Sequence, residues 1–237
     1  MALLDRNFNL SHRMVQELGK SIVCGEYNDD GLPTEAELCD KFGVSRSAVR
    51  EAVKMLSAKG LISSKPRQGI RVQPEQEWNI FDPDLLSWSL VSRPSMKVLK
   101  EFLQMRIAIE PEAAALAARY ATAEQIDAIE TALERMRNAE DNSQEDLEAD
   151  IAFHVSILFA SNNRFYIRMR DFIQTALRVS ISHTSPMKGN HEGIVEDHAK
   201  VFEAIKNRNP EQAKHAMLLL IDEALNFIEE ELASRKE

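Results

Sequence analysis

Asp150 and His154 stand four residues apart, and His198 follows Glu196-Asp197 further along the chain. On a helix, a spacing of four puts two side chains on one side, about 6 Å apart along the axis. One carboxylate and two imidazoles are suitable donors for a divalent metal. The same spacing also occurs as a surface Asp–His pair with an unrelated histidine elsewhere, and spacing alone leaves both readings open. Arg106 interrupts the largely apolar run from Phe102 to Ile109, with Glu110 four residues on. A charge in such a run needs a partner. Its planar fork suits a small carboxylate ligand, and an internal pair with Glu110 is the other reading. A metal-dependent enzyme would use the Asp/His set to activate water. No HExxH, GxSxG or phosphate-loop motif accompanies the set, and no general base is evident beside it.

A second constellation suits nucleic acid. Ser45-Arg46-Ser47 opens an expected helix that continues through Arg50. The first turn of a helix offers free backbone N–H groups and the positive end of the dipole, both favourable to phosphate. Arg46 and Arg50 share one face, and arginine takes guanine O6 and N7 through two parallel hydrogen bonds. Lys65 and Arg67 sit in the turn Lys65-Pro66-Arg67-Gln68-Gly69, where Gly69 permits close backbone approach to phosphate or the minor groove.

Charge separates along the chain. The 237 residues carry 29 Lys and Arg against 38 Asp and Glu, net −9, which taken whole argues against nucleic acid and anionic membranes. Residues 41–73 are the exception. They hold Lys41, Arg46, Arg50, Lys54, Lys59, Lys65, Arg67 and Arg71 against the single acid Glu51. The acidity lies after residue 73, so tight DNA binding is expected only when a dimer presents both basic segments, with strong salt dependence. A hydrophobic fraction of 44% and a charged fraction of 28% fit a globular chain. Two cysteines without a CxxC pair fit a reduced compartment, and no apolar run approaches a membrane span or a signal peptide. A cytoplasmic location without membrane contact is expected.

The elements that must position these groups are mostly helices. Met14, Leu18 and Ile22 form one stripe of a helix from Ser11 to Gly25. Thr34 with Glu37 has capping-box spacing for a second helix ending near Phe42-Gly43, and Ser45 caps a third that turns Val49, Val53 and Leu56 inward. Strands at Leu61–Ser64 and Ile70–Val72 complete a winged helix-turn-helix over residues 1–74. Residues 75–94 read as a linker with a short helix anchored by Trp78, Phe81, Leu85, Leu86 and Trp88. Six helices are expected after that, at 95–121, 123–140, 143–161, 163–184, 191–208 and 210–235, giving an all-α domain over 95–237. The fold class is therefore mainly α, an N-terminal winged helix-turn-helix followed by a C-terminal helical bundle.

The segments Leu32-Pro33-Thr34-Glu35-Ala36-Glu37-Leu38, Val44-Ser45-Arg46-Ser47-Ala48-Val49-Arg50-Glu51-Ala52, Gly60-Leu61-Ile62 and Gly69-Ile70-Arg71-Val72 closely resemble the GntR family of bacterial transcription regulators. The resemblance implies DNA contacts from Glu35, Ser45, Arg46, Ser47 and Arg50, and from Lys65, Arg67, Gln68 and Gly69 of the wing. Many relatives have arginine where this chain has Ala36. The run from Arg106 to Ala118, Asp150-Ile151-Ala152-Phe153-His154 and Glu196-Asp197-His198 are similar to the FCD effector domain of one GntR subfamily. That domain is an α-helical bundle in which many members hold zinc or nickel with an aspartate and three histidines, beside a small carboxylate effector. Asp150, His154 and His198 match three of the ligands, while Leu220 stands at the fourth position. His215 lies about 140° around the same helix from Leu220 and is no simple replacement.

The resemblance further implies effector contacts from Arg106, Asn163 and His183, although Asn163 equally suits a helix cap. His183 and His191 flank an expected polar loop, Thr184 to Asn190. The stretch Trp78-Asn79-Ile80-Phe81-Asp82-Pro83-Asp84-Leu85-Leu86-Ser87-Trp88 resembles the linker of the galactonate-operon repressor branch, which also lacks the last histidine. This implies a sugar-acid effector such as an aldonate or uronate. The expectation is a homodimeric repressor released from a palindromic operator by a small carboxylate. Regulation of another organic-acid pathway, or an enzyme, is the alternative.

Overall fold

Met14, Leu18 and Ile22 are buried together, as their spacing requires. They lie on α1 (Ala2–Val23), which starts before Ser11 because no helix breaker intervenes. The computed structural model describes residues 2–27, 31–65, 69–92, 95–188 and 191–234. The chain divides into two units, Met1–Pro94 and Ser95–Glu237.

In the first unit, α1 packs on α3 (Arg46–Ala58), and α2 (Glu35–Phe42) leads into α3 through a short turn. The capping box at α2 is present: Thr34 N donates to Glu37 Oε2 at 2.8 Å, and Glu37 N donates to Thr34 Oγ1 at 3.3 Å. Leu38, Val49, Ala52, Val53 and Leu56 close the core against α1. The antiparallel pair β1 (Ile62–Lys65) and β2 (Gly69–Val72) adds Ile62 and Ile70 to that core, with Lys65 opposite Gly69 at the end where the two strands are connected.

Residues 75–94, expected as a linker with a short helix, hold a 3₁₀ turn at Glu75–Glu77 and helix α4 (Pro83–Ser92). Leu85 and Trp88 of α4 join the same core. The Trp88 indole donates to Gln16 Oε1 at 2.9 Å. Gly19 makes room for it, since a Cβ there would lie 2.3 Å from Trp88 Cζ3. Lys59 fastens the same segment, with Nζ 2.7 Å from Asp82 Oδ1 and 2.8 Å from Asp84 Oδ2. One of the eight basic side chains of 41–73 is therefore committed to the fold rather than to phosphate. Lys59→Ala should lower the stability of this unit by about 1–3 kcal/mol, because two carboxylates lose a cation that is largely buried. Both tryptophans of the chain, Trp78 and Trp88, lie in this unit, so the midpoint of tryptophan fluorescence in denaturant measures the effect.

The second unit is all helical: α5 (Met96–Tyr120), α6 (Ala123–Asn138), α7 (Gln144–Ala160), α8 (Arg164–Arg168), α9 (Arg170–Lys188), α10 (His191–Lys206) and α11 (Pro210–Ser234). Buried small residues on α5 (Ala113, Ala114, Ala117 and Ala118) let α11 lie against it in an extensive contact. The expected helix 163–184 is two helices. Met169 ends α8 with a tight bond to the Tyr166 carbonyl at 3.0 Å, and α9 starts afresh at Arg170. The expected loop from Thr184 is instead helical to Lys188. Thr184 is buried and its hydroxyl donates back to the Ser180 carbonyl at 3.0 Å, so burial carries the helix past the local turn signals.

Candidate functional site

The first site is the exposed face of α3. Ser45 caps this helix by accepting from Ala48 N at 3.3 Å and lies 2.9 Å from Ser47 Oγ. The cap fixes the first turn, and Arg46, Ser47 and Arg50 all project to solvent from it, while Val49 and Val53 hold the opposite face in the core. Arg50 Nε donates to Glu35 Oε2 at 3.1 Å, so Glu35 at the start of α2 steadies the arginine without burying it. Lys65 and Gly69 are both exposed at the connected end of the hairpin. Gly69 has φ +72, a conformation that side-chain-bearing residues rarely adopt. Arg67 and Gln68 lie outside the described residues.

The second site is buried within the helical unit. Arg106 Nε donates to Glu110 Oε1 at 2.6 Å, and Arg106 Nη2 donates to Glu110 Oε2 at 3.2 Å, with both side chains almost fully enclosed. His154 on α7 turns Nδ1 to Glu110 Oε2 at 2.7 Å, and its Nε2 lies 3.1 Å from Arg106 Nη2. Asp150, one turn before His154, places Oδ1 3.3 Å from His154 Nε2 and 3.4 Å from His198 Nε2. His198 on α10 donates from Nδ1 to the Ile194 carbonyl at 2.7 Å. Burial would push the Glu110 carboxyl up, but the Arg106 guanidinium and His154 hold it down at about 2. Burial likewise opposes ionisation of Asp150, and His198 and His154 outweigh it, holding the carboxyl well below the ordinary range. For His154, burial favours the neutral ring, but Glu110 outweighs that and raises its affinity for a proton.

The donor chemistry fits a cation. With Nδ1 donating to Ile194, His198 Nε2 faces the Asp150 carboxylate oxygen, a placement that suits a proton or a metal ion between the two atoms. Among the described residues neither His198 Nε2 nor Asp150 Oδ1 has a hydrogen-bond partner, and both are sealed from solvent. Two acceptors facing each other across a buried gap are repulsive unless a positive charge lies between them. Asp150, His154 and His198 bring their donor atoms within 4.8 Å of one another.

The cavity around them is about 20 Å³ and is lined also by Arg106, Ile181, Thr184, Ile194, Leu220 and Ala224. Leu220 therefore presents an apolar wall to the histidine–aspartate set. The fold brings Arg106 to the metal-type residues. It does not bring Asn163 there: its side chain caps α8, accepting from Phe165 N at 2.9 Å, and it is not among the lining residues. His183 is on α9, and its side chain lies outside the described residues. Two lining or supporting residues escape a reading of the sequence. Glu110 serves His154 as well as Arg106, a role signalled only by its place one turn from Arg106 on a buried face. Thr184 looks like loop and is cavity wall.

An exposed, serine-capped helix beside a hairpin has the arrangement of a winged helix-turn-helix, and the unit that follows it in sequence is an all-helical domain with a polar buried cavity. Residues 10–72 match the bacterial regulatory proteins of the gntR family, and residues 101–223 match the FCD domain. The galactonate operon transcriptional repressor of Escherichia coli K12 is 32% identical over 224 residues, spanning 94% of this chain and 98% of its own length. The HTH-type transcriptional regulator YieP of the same organism is 42% identical over 160 residues, 66% of this chain and 70% of that protein. A solved GntR structure from Streptococcus agalactiae covers 91% of this chain and 99% of its own with a TM-score of 0.51 at 22% identity, a likeness of fold. The chain belongs to the GntR family of DNA-binding transcription regulators and carries an FCD domain; it is a regulator and not an enzyme. Among the described residues no helix is long and apolar enough to cross a membrane.

Proposed function

We propose that this chain represses a catabolic operon for a sugar acid and leaves its palindromic operator when that acid binds the FCD domain. The observation that carries the reading is near end-to-end similarity to the galactonate operon repressor. Two further relatives, named the Uxu operon regulator of Haemophilus influenzae and the NanR repressor of Klebsiella aerogenes, support the same class of effector. Two copies of the chain would present two α3 helices to half-sites related by a two-fold axis, with Arg46, Arg50 and Lys65 on the DNA.

In the second domain, Asp150, His154 and His198 would hold a divalent ion such as zinc or nickel, with Glu110 orienting His154. When bound, that ion supplies a Lewis-acidic point for an effector carboxylate, and the Arg106 fork supplies a second anchor. A cavity of about 20 Å³ takes an ion or a water but not a six-carbon acid. Ile181, Ile194 and Leu220 must therefore give way when the acid enters. That requirement gives the effector its differential affinity for a state with α9, α10 or α11 displaced, and so a means to shift the DNA-binding equilibrium.

Thermal-shift measurements with aldonates and uronates, with and without chelator, test this reading together with gel shifts on DNA upstream of the protein's own operon. A stabilising acid that releases the DNA is the expected result. Absence of binding to any palindrome at low salt, or indifference to every sugar acid, would overturn it. For the ion, His154→Ala should lower the metal content of purified protein by at least about tenfold relative to wild type, read by elemental analysis. Equal metal in both would remove Asp150, His154 and His198 from that role.

A further inference from the structure

Below the Asp150/His154/His198 set, the same two helices, α7 and α10, bring together a second group that the regulator reading does not use. Asp146 lies one turn before Asp150, and His191 two turns before His198. Asp141, on the turn that precedes α7, completes the group, and the donor atoms of all three lie within 4.8 Å of one another.

Three features of the group bear on its role. First, both ring nitrogens of His191 are sealed from solvent, and among the described residues neither has a hydrogen-bond partner. An imidazole always carries at least one N–H donor, so an unmet ring at a carboxylate pair is unexplained by packing alone. Second, the separations are wrong for direct bonding. His191 Nδ1 stands 3.7 Å from Asp146 Oδ1 and 3.9 Å from Asp141 Oδ1, beyond hydrogen-bond reach. They are close to the spacing of about 3.5 Å between two ligands that share one tetrahedral ion at about 2.1 Å. Third, among the described residues no lysine or arginine pairs with either carboxylate: Asp146 is buried, Asp141 accepts an amide bond from Asn142 at 2.9 Å, and His191 is the cationic type of group that faces both.

We infer that Asp141, Asp146 and His191 form a second divalent transition-metal site, at the outer end of the α7–α10 seam. Its mixed carboxylate–imidazole donors suit zinc, nickel or manganese. It binds more weakly than the inner set, because Asp141 is exposed on a turn and must be ordered on binding. The inner set does not depend on it, so the two sites are separable by mutation.

The test is equilibrium dialysis and calorimetric titration of the full chain with zinc chloride, with circular dichroism confirming each fold. Wild type is expected to take two zinc ions per chain, one tight and one weaker. His191→Ala should remove the weaker ion and keep the tight one, and Asp150→Ala/His154→Ala should do the reverse. His215→Ala, a histidine outside both groups, should keep both. Retention of the weaker ion in His191→Ala, or its equal loss in His215→Ala, would overturn the site. Loss of one ion in His191→Ala with no change in Asp150→Ala/His154→Ala would uphold it while removing the inner metal from the proposed function.

Discussion

Glu110→Ala should destabilise the helical unit by about 3–5 kcal/mol, the usual cost of leaving one member of a buried ion pair alone. Arg106 and Glu110 side chains are 4% and 1% exposed, so water cannot replace the lost carboxylate, and His154 Nδ1 loses its acceptor in the same step. Denaturant unfolding followed by circular dichroism would show the loss, while tryptophan fluorescence, confined to the first unit, should move far less. Replacing both charges, Arg106→Met with Glu110→Leu, should recover much of the stability, because no orphaned charge remains. A loss below about 1 kcal/mol for Glu110→Ala would mean that the pair behaves as a solvated surface pair.

The same carboxyl gives a pH dependence with a definite sign. Glu110 titrates near 2 in the fold against an ordinary 4.5, so the unfolded chain binds its proton first. Its contribution is complete above about pH 4.5 and is lost as pH falls towards 2. Glu110→Gln should flatten that part of the acid-unfolding profile.

The second large effect is on DNA. Arg50→Ala should remove one base contact in each half-site of the operator, a cost of about 2–6 kcal/mol or at least roughly thirtyfold in affinity. Arg50 is 66% exposed and only steadied by Glu35, so the fold should be unchanged. Lys65→Ala should instead weaken specific and non-specific DNA alike and lower the salt slope, as a phosphate contact does. Unfolding of Arg50→Ala, or full retention of operator preference by it, would take Arg50 out of the reading role.

Local chemistry was legible in the sequence and long-range pairing was not. Thr34 with Glu37 and Ser45 before Arg46 announce helix starts, because each side chain satisfies a backbone N–H within three residues. The spacing of Asp150 and His154 announces one face, and the structure puts both on the cavity. What was missed depends on partners far along the chain. Lys59 reads as part of a basic stripe, yet Asp82 and Asp84 hold it. Glu110 reads as a partner for Arg106, yet it also meets His154, 44 positions away in number. Asn163 reads equally as cap or pocket residue, and only packing decides for the cap. The helical Thr184 reflects tertiary burial overriding local turn signals.

In the proposed function, an acid entering the Arg106 cavity releases the DNA. Titrating operator-bound protein with galactonate, in wild type and in Arg106→Lys, tests it most directly. Lysine keeps the charge beside Glu110 but lacks the guanidinium N–H groups left for an acid once Glu110 has taken two of them. Both proteins should bind the operator, the wild type should leave it at low acid concentration, and Arg106→Lys should leave it only at concentrations at least about tenfold higher. Release of both proteins at the same concentration would contradict it.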